Sequence, residues 1–271
     1  MKDLRTQLLA TALCGVTAFG LAHKAFAGTD LVQNGNFATT TPQGPTGELG
    51  VNITVADWTG GGYTFLFTPG TADTTGATDY GGSNVQLWGQ HNSLSYGYGP
   101  PSANGLPSAG ETGGNFLASD GSFFVVPIQQ TINNLTAGDT YAVSFYWAAA
   151  QEFGETGATT EQWQVSLGGI PQSTSVYDNT SHGSSGNSPS ADASGWMNQT
   201  FNFTAPGTPG STVSEVLSFL SVGTPDGIPP FSLLSDVSME AVPEPSTAVL
   251  FGFAAAVVGF AARRCHRQCR Q

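Results

Sequence analysis

Carboxylates and aromatic rings are the groups in this sequence that could do chemistry. Glu111, Glu152, Glu155 and Glu161 are the acids from which a hydrolytic pair would be drawn, since cleaving a glycosidic bond takes two placed carboxyls. Three of them fall in the polar stretch 151–161, which reads as a solvated loop. Between Gly28 and Ala262 there is no Lys, Arg or Cys, and His91 and His182 are the histidines. Ser, Thr, Tyr and carboxylates are thus the nucleophiles available. No His-Glu-x-x-His, Gly-x-Ser-x-Gly or Cys-His arrangement appears. The expectation is a non-catalytic protein, with a polysaccharide-acting hydrolase as an alternative.

Sugar binding asks for less. An exposed ring stacks on the apolar face of a sugar, and nearby amides and carboxylates take its hydroxyls. Trp88-Gly89-Gln90-His91-Asn92, with Tyr96 and Tyr98, carries those residue types in a Gly-rich loop. Trp163 and Trp196 are further carbohydrate-binding candidates. Core packing is the competing reading for each Trp, and the preferred one for Trp58 and Trp147.

Charge narrows the partners. All 7 Lys and Arg residues lie near the two ends, at 2, 5, 24, 263, 264, 267 and 270. The span 28–262 holds 18 of the 19 acidic residues, a charge of about −18 with no basic side chain. A nucleic-acid partner is excluded, because no cation is present to displace counterions. The simplest use of so much negative charge is solubility outside a cell. Cys14, Cys265 and Cys269 all fall in the terminal segments, so no disulfide framework is expected between them.

These groups must be positioned by strands. Gly makes up 36 of 271 residues, and Ser/Thr/Asn-rich turns separate short β-type runs. From Thr140 to Ala149 the sequence alternates Tyr141, Val143, Phe145 and Trp147 against Ala142, Ser144 and Tyr146, a period of two. Ala137-Gly138-Asp139 reads as the tight turn before it. Further strands are predicted at 31–32 with 37, 52–55, 63–67, 84–88, 115–118, 123–132, 162–167, 174–177, 197–203, 213–222 and 231–239. No segment between the ends is convincingly amphipathic and helical. The prediction is an all-β chain with about eleven strands in one β-sandwich over 28–241, with 179–195 as a flexible Ser/Gly/Asn-rich loop.

The ends carry addresses. Lys2 and Arg5, an apolar run from Leu8 to Leu21, and Ala25-Phe26-Ala27 make a secretory signal peptide over 1–27, cut after Ala27. At the other end an apolar run from Thr247 to Ala262 is closed by Arg263-Arg264. As a helix it spans about 24 Å, slightly short of a hydrocarbon core, and its arginines belong on the cytoplasmic side. The order Pro243-Glu244-Pro245, apolar helix, Arg263-Arg264 resembles the PEP-CTERM sorting signal of Gram-negative bacteria, over 242–271. That resemblance implies an exosortase-type membrane protease as a partner. It implies a membrane anchor before processing, and delivery to the envelope surface or to an exopolysaccharide matrix.

A second resemblance covers most of 29–240. Asn34-Gly35-Asn36-Phe37 with Trp58, Leu135 to Phe145, and Leu233-Leu234-Ser235-Asp236-Val237-Ser238 resemble the opening, central hairpin and closing strand of galactose-binding-like jelly rolls, an architecture shared by many carbohydrate-binding modules. With Ser181-His182-Gly183 and Gly195-Trp196 they also resemble a group of PEP-CTERM cargo proteins. Ser184 to Ser194 stands as an insertion relative to these. No cofactor is expected to be required. The jelly-roll resemblance implies a structural Ca²⁺ between the opening loop and the last strand, at Asn36 and Asp236, hard oxygen ligands suited to that ion. Ala38 and Ser235 stand where such modules carry acidic residues. The expected role is binding of, or association with, exopolysaccharide; a purely structural or adhesive surface protein without a sugar site is the other alternative.

Overall fold

The computed structural model describes residues 29–92, 105–155, 157–178 and 194–243. The predicted signal segment with Ala25 and Ala27, Tyr96, Tyr98, His182, Glu244, Pro245, the apolar run 247–262 and Arg263-Arg264 lie outside the described residues. Among the described residues no helix is long and apolar enough to cross a membrane.

The chain is all-β. It opens with β1 (Thr40–Thr41), β2 (Gly47–Glu48), β3 (Thr54–Val55), β4 (Thr64–Phe67), β5 (Ala77–Thr78), β6 (Asn84–Val85) and β7 (Phe116–Asp120). Longer strands follow: β8 (Ile128–Thr136), β9 (Thr140–Gln151), β10 (Thr160–Leu167) and β11 (Ile170–Ser173). The set closes with β12 (Tyr177–Asp178), β13 (Met197–Thr204), β14 (Thr212–Thr224) and β15 (Pro230–Ala241). One sheet runs β13-β9-β15-β7-β4-β2, the other β11-β10-β14-β8 with β12 also on β10; β1-β3 and β5-β6 are small ribbons.

The period-two strand at β9 explains the sandwich. Tyr141, Val143, Phe145 and Trp147 are buried against Trp163, Val165 and Leu167 of β10 and Leu217 and Phe219 of β14. Phe145 meets Phe219 edge-on at 5.1 Å, a favoured arrangement for paired rings. Trp58 and Trp147 belong to this core, as predicted.

The six-stranded sheet carries a second apolar layer on its outer face. Phe65, Phe67, Phe116, Ala118, Phe231 and Leu233 pack there with Ala72, Ala77, Val85 and Leu87, contributed by the segment after β4. That is why β4 and β7 are buried at every position and show no alternation in sequence, as expected for strands covered on both faces.

Several sequence expectations are corrected. Leu135 to Phe145 is not a hairpin: β8 and β9 lie in different sheets, because both must turn apolar faces to one core. Gly138 (φ 92°) makes that corner, a conformation glycine adopts without strain. The run 123–132 becomes a strand only at Ile128. Its first residues form a turn held by Asp120, whose Oδ1 accepts from the backbone N–H groups of Ser122 at 2.7 Å and Phe123 at 3.2 Å. The polar stretch 151–161 is not a solvated loop, since Gln151 ends β9, Glu161 lies on β10, and both are 1% exposed. The strand expected at 174–177 sits instead at Ile170–Ser173. The two-residue strands β1, β2 and β5 are too short for a period to show.

Candidate functional site

Among the described residues, the sequence-predicted sugar-binding side chains Trp88, His91, Trp163 and Trp196 sit in separate surroundings. Trp88 is 2% exposed; its Nε1 donates to the Glu155 carbonyl at 2.7 Å and its ring meets Phe153 edge-on at 4.5 Å. Trp163 is fully buried, and its Nε1 donates to the Leu233 carbonyl at 3.0 Å. Both rings lack a free face because they fill space between layers. Trp196 is half-buried, donates to the Ala109 carbonyl at 2.9 Å and stands edge-on to Phe116. His91 is exposed, with Nδ1 2.8 Å from the Asp73 carboxylate. The turn at 88–92 closes over Asp73, which also accepts the His91 backbone N–H.

Asn36 and Asp236 do come near one another. Val237 N–H donates to the Gly35 carbonyl at 3.0 Å, which sets the opening loop beside the bulge that breaks β15 between Ser235 and Ser238. Asp236 sits on that bulge at φ 50°. Its carboxylate already accepts from the Thr112 backbone N–H at 3.1 Å, the Thr112 hydroxyl and the Ser235 hydroxyl. The Asn36 amide oxygen accepts from Ala38 N–H. Among the described residues no three His, Cys, Asp or Glu side chains gather as metal ligands. Donors from Thr112 and Ser235 reach both carboxylate oxygens of Asp236, a hydrogen-bonded clasp between the 110–115 segment and the bulge of β15.

The residues with perturbed chemistry gather elsewhere, at the end of the six-stranded sheet where β4 and β15 begin and β7 and β9 finish. Tyr63 precedes β4 and stands edge-on to Phe65 at 4.7 Å and to Phe123 at 5.6 Å. Its hydroxyl donates to Glu152, 3.3 Å from Oε1 and 3.5 Å from Oε2. Burial pushes the Glu152 carboxyl up to about 7; the Tyr63 hydrogen bond opposes this, while the negative charges of Asp120, Glu155 and Asp79 add to it. Tyr63 is itself raised, by burial first and then by Glu152. Asp120 is 1% exposed. Burial raises it against the donors on Oδ1, and its Oδ2 has no partner.

Phe123, packed on Tyr63, presents an exposed ring beside this cluster, and Phe124 and Tyr80 are exposed on the adjoining segments. Phe123 is 55%, Phe124 68% and Tyr80 86% exposed. Phe124 is held at φ 45°, a costly conformation for a bulky residue. Its carbonyl accepts from Tyr63 N–H at 3.3 Å and lies against Gly62, where a Cβ would come within 2.0 Å of that oxygen. Tyr80 N–H donates to Glu48, whose carboxyl is raised mainly by burial. The result is an aromatic ledge, with Phe123 at its contact with Tyr63, beside desolvated carboxyls, and no Lys or Arg anywhere in 28–262. Its sequence signal was Asp120-Gly121-Ser122, turn chemistry that places the following Phe-Phe pair on a loop.

Two other features differ in kind. A shallow cleft of about 300 Å³ is lined by Gln33, Asp57, Thr59, Gln129, Thr131 and Asn133; it is rich in hydrogen-bonding groups but has no aromatic ring in its lining. Glu161 lies inside the sandwich, 1% exposed, and burial pushes it up to about 8. Neither of its oxygens has a hydrogen bond of normal geometry.

The fold and this ledge define a β-sandwich domain, and the comparisons add where it is sent. Residues 241–265 match the PEP-CTERM protein-sorting motif, so the protein is exported and sorted to the cell envelope or surface. No curated protein matches the sequence. Among solved structures, the chain is similar to a family-61 carbohydrate-binding module in complex with β-1,4-galactotriose, at 11% identity and TM-score 0.39, over 79% of this chain and 99% of that one. It is also similar to a family-4 carbohydrate-binding module at 14% identity and TM-score 0.30, over 78% and 99%. A cyclase from Fischerella sp. aligns at 11% identity and TM-score 0.43, over 80% and 97%.

Proposed function

We propose that this protein is a non-catalytic surface protein whose sandwich binds polysaccharide of the cell exterior through the Phe123–Tyr63–Glu152 ledge. One observation carries the reading: an exposed ring, Phe123, is braced on Tyr63, whose hydroxyl is in turn tied to a desolvated carboxyl. The ring offers a sugar its apolar contact, and Glu152 offers an acceptor for hydroxyls in a low-dielectric setting. The exported product runs from Gly28 to the Pro243-Glu244-Pro245 region. An exosortase-type protease of a Gram-negative envelope removes the membrane-inserting tail, and the matrix polysaccharide is the partner.

The test is co-sedimentation of the purified protein with the producing cell's own exopolysaccharide. Binding is expected, and its loss in Phe123→Ala and Phe124→Ala. If the wild type fails to sediment, or both variants bind as well as it does, the reading falls.

A second reading has one observation behind it. Glu152, held up at about 7 near Asp120, has the protonation of a general acid. Release of reducing ends from the same polysaccharide, lost in Glu152→Gln, would move the assignment to a hydrolase. Glu161 has no such role open to it, because the sandwich seals it from a polymer.

A further inference from the structure

We infer that the ledge selects a cationic glycan, one bearing free protonated amino groups, over neutral and uronic-acid polymers; this rests on the polysaccharide reading above. The argument begins with an imbalance. Buried carboxylates are normally paired with a cation or fully hydrogen-bonded. Glu152 has one neutral donor, the Tyr63 hydroxyl, at 3.3 and 3.5 Å. Asp120, 1% exposed, keeps Oδ2 without any partner. The two share a face of the sheet with Phe65, Ala118, Ala150 and Phe231, and the Asp120 charge is felt at both Tyr63 and Glu152.

No Lys or Arg lies between 28 and 262 to hold these carboxyls ionised, so burial leaves them keeping a proton. An ammonium from outside is the partner that can take that proton's place. A metal ion suits the site poorly: no three potential ligands gather among the described residues, and a hydrated ion gains nothing from Phe123 and Phe124. A protonated amino sugar uses everything there. Its ring stacks on Phe123, and its ammonium reaches Glu152 as a charge-assisted donor. A uronate would meet like charge at Asp79, Glu152 and Glu155.

Calorimetry at pH 6.5, with the purified protein and six-sugar oligomers, decides it. The probes are fully deacetylated glucosamine oligomer, its N-acetylated counterpart and oligogalacturonate. The glucosamine oligomer is expected to bind about tenfold tighter than the acetylated one, with galacturonate silent. That preference should vanish in Glu152→Gln and persist in Glu215→Gln, a carboxyl on β14 in the other sheet. Equal affinity for the two glucosamine forms overturns the cationic class but leaves polysaccharide binding standing. A preference unchanged in Glu152→Gln means attraction by overall charge, and overturns the site. If none of the three binds and the matrix polysaccharide is also ignored, the function proposed above fails with it.

Discussion

Tyr63 and Glu152 are 89 positions apart, and the hydroxyl of one donates to the carboxyl of the other across the end of the six-stranded sheet. The pair marks where the outer apolar layer gives way to the aromatic ledge. It also sets the state of Glu152. Burial holds that carboxyl at about 7, and the tyrosine hydroxyl is the contact that works to lower it. Tyr63→Phe removes the contact and leaves the desolvation. The Glu152 titration, followed by carboxyl-carbon NMR, is therefore expected to move above 7. A midpoint that stays put or falls would show that the hydroxyl does not favour the ionised form.

Stability should fall as pH rises. Glu48 and Asp120 are raised by burial, Glu152 to about 7 and Glu161 to about 8, each from an ordinary value near 4 to 4.5. In each case the folded state holds the proton more tightly than the unfolded chain. Their contribution is then complete below the unfolded pKa and is lost as pH climbs through the folded values. No Lys or Arg bridge in 28–262 exists to pull the other way. Urea midpoints are expected to be higher at about pH 5 than at about pH 8.5. Glu161→Gln, which cannot ionise, should flatten much of that slope. A midpoint that rises over this interval would contradict the burial of these carboxyls.

How much of this was written in the sequence depends on the kind of feature. Strands with one buried face declare themselves, as Tyr141 to Trp147 does, because the period of two is also the period of burial. Strands buried on both faces give no period, so β7 and the outer apolar layer were visible only as short apolar runs. The ledge was harder still. Tyr63, the Asp120–Phe123 turn and Glu152 come from three separate segments, and only pairing of β4, β7, β15 and β9 makes them neighbours. Residue type alone favoured Trp88 and Trp163 as sugar platforms. It could not show that large rings are also what a two-layer core needs, and the core took both.

That division between core rings and ledge rings can be measured. Trp163→Ala empties a fully buried site and is expected to cost about 3–5 kcal/mol of stability. Phe123→Ala removes a ring that is 55% exposed and should cost no more than about 1 kcal/mol, yet it should abolish polysaccharide binding. Chemical denaturation and co-sedimentation on the two variants give both readouts. A Phe123→Ala protein as unstable as Trp163→Ala would make Phe123 a structural residue and remove the platform.

The ledge also depends on a glycine. Gly62 adopts φ 66°, and a Cβ there would lie 2.0 Å from the Phe124 carbonyl oxygen, so either the β4 approach or the 121–127 turn must move. The turn is the softer of the two, because it lies outside the sheet while Thr64 to Phe67 is paired to β7. Gly62→Ala is therefore expected to displace Phe123 and Phe124 while leaving both apolar cores packed. It should weaken polysaccharide binding at least as much as Phe124→Ala, with a smaller loss of stability than Trp163→Ala. Full binding by Gly62→Ala would mean that the close approach of Gly62 to Phe124 does not position the rings, and that the strained backbone of Phe124 serves the fold alone.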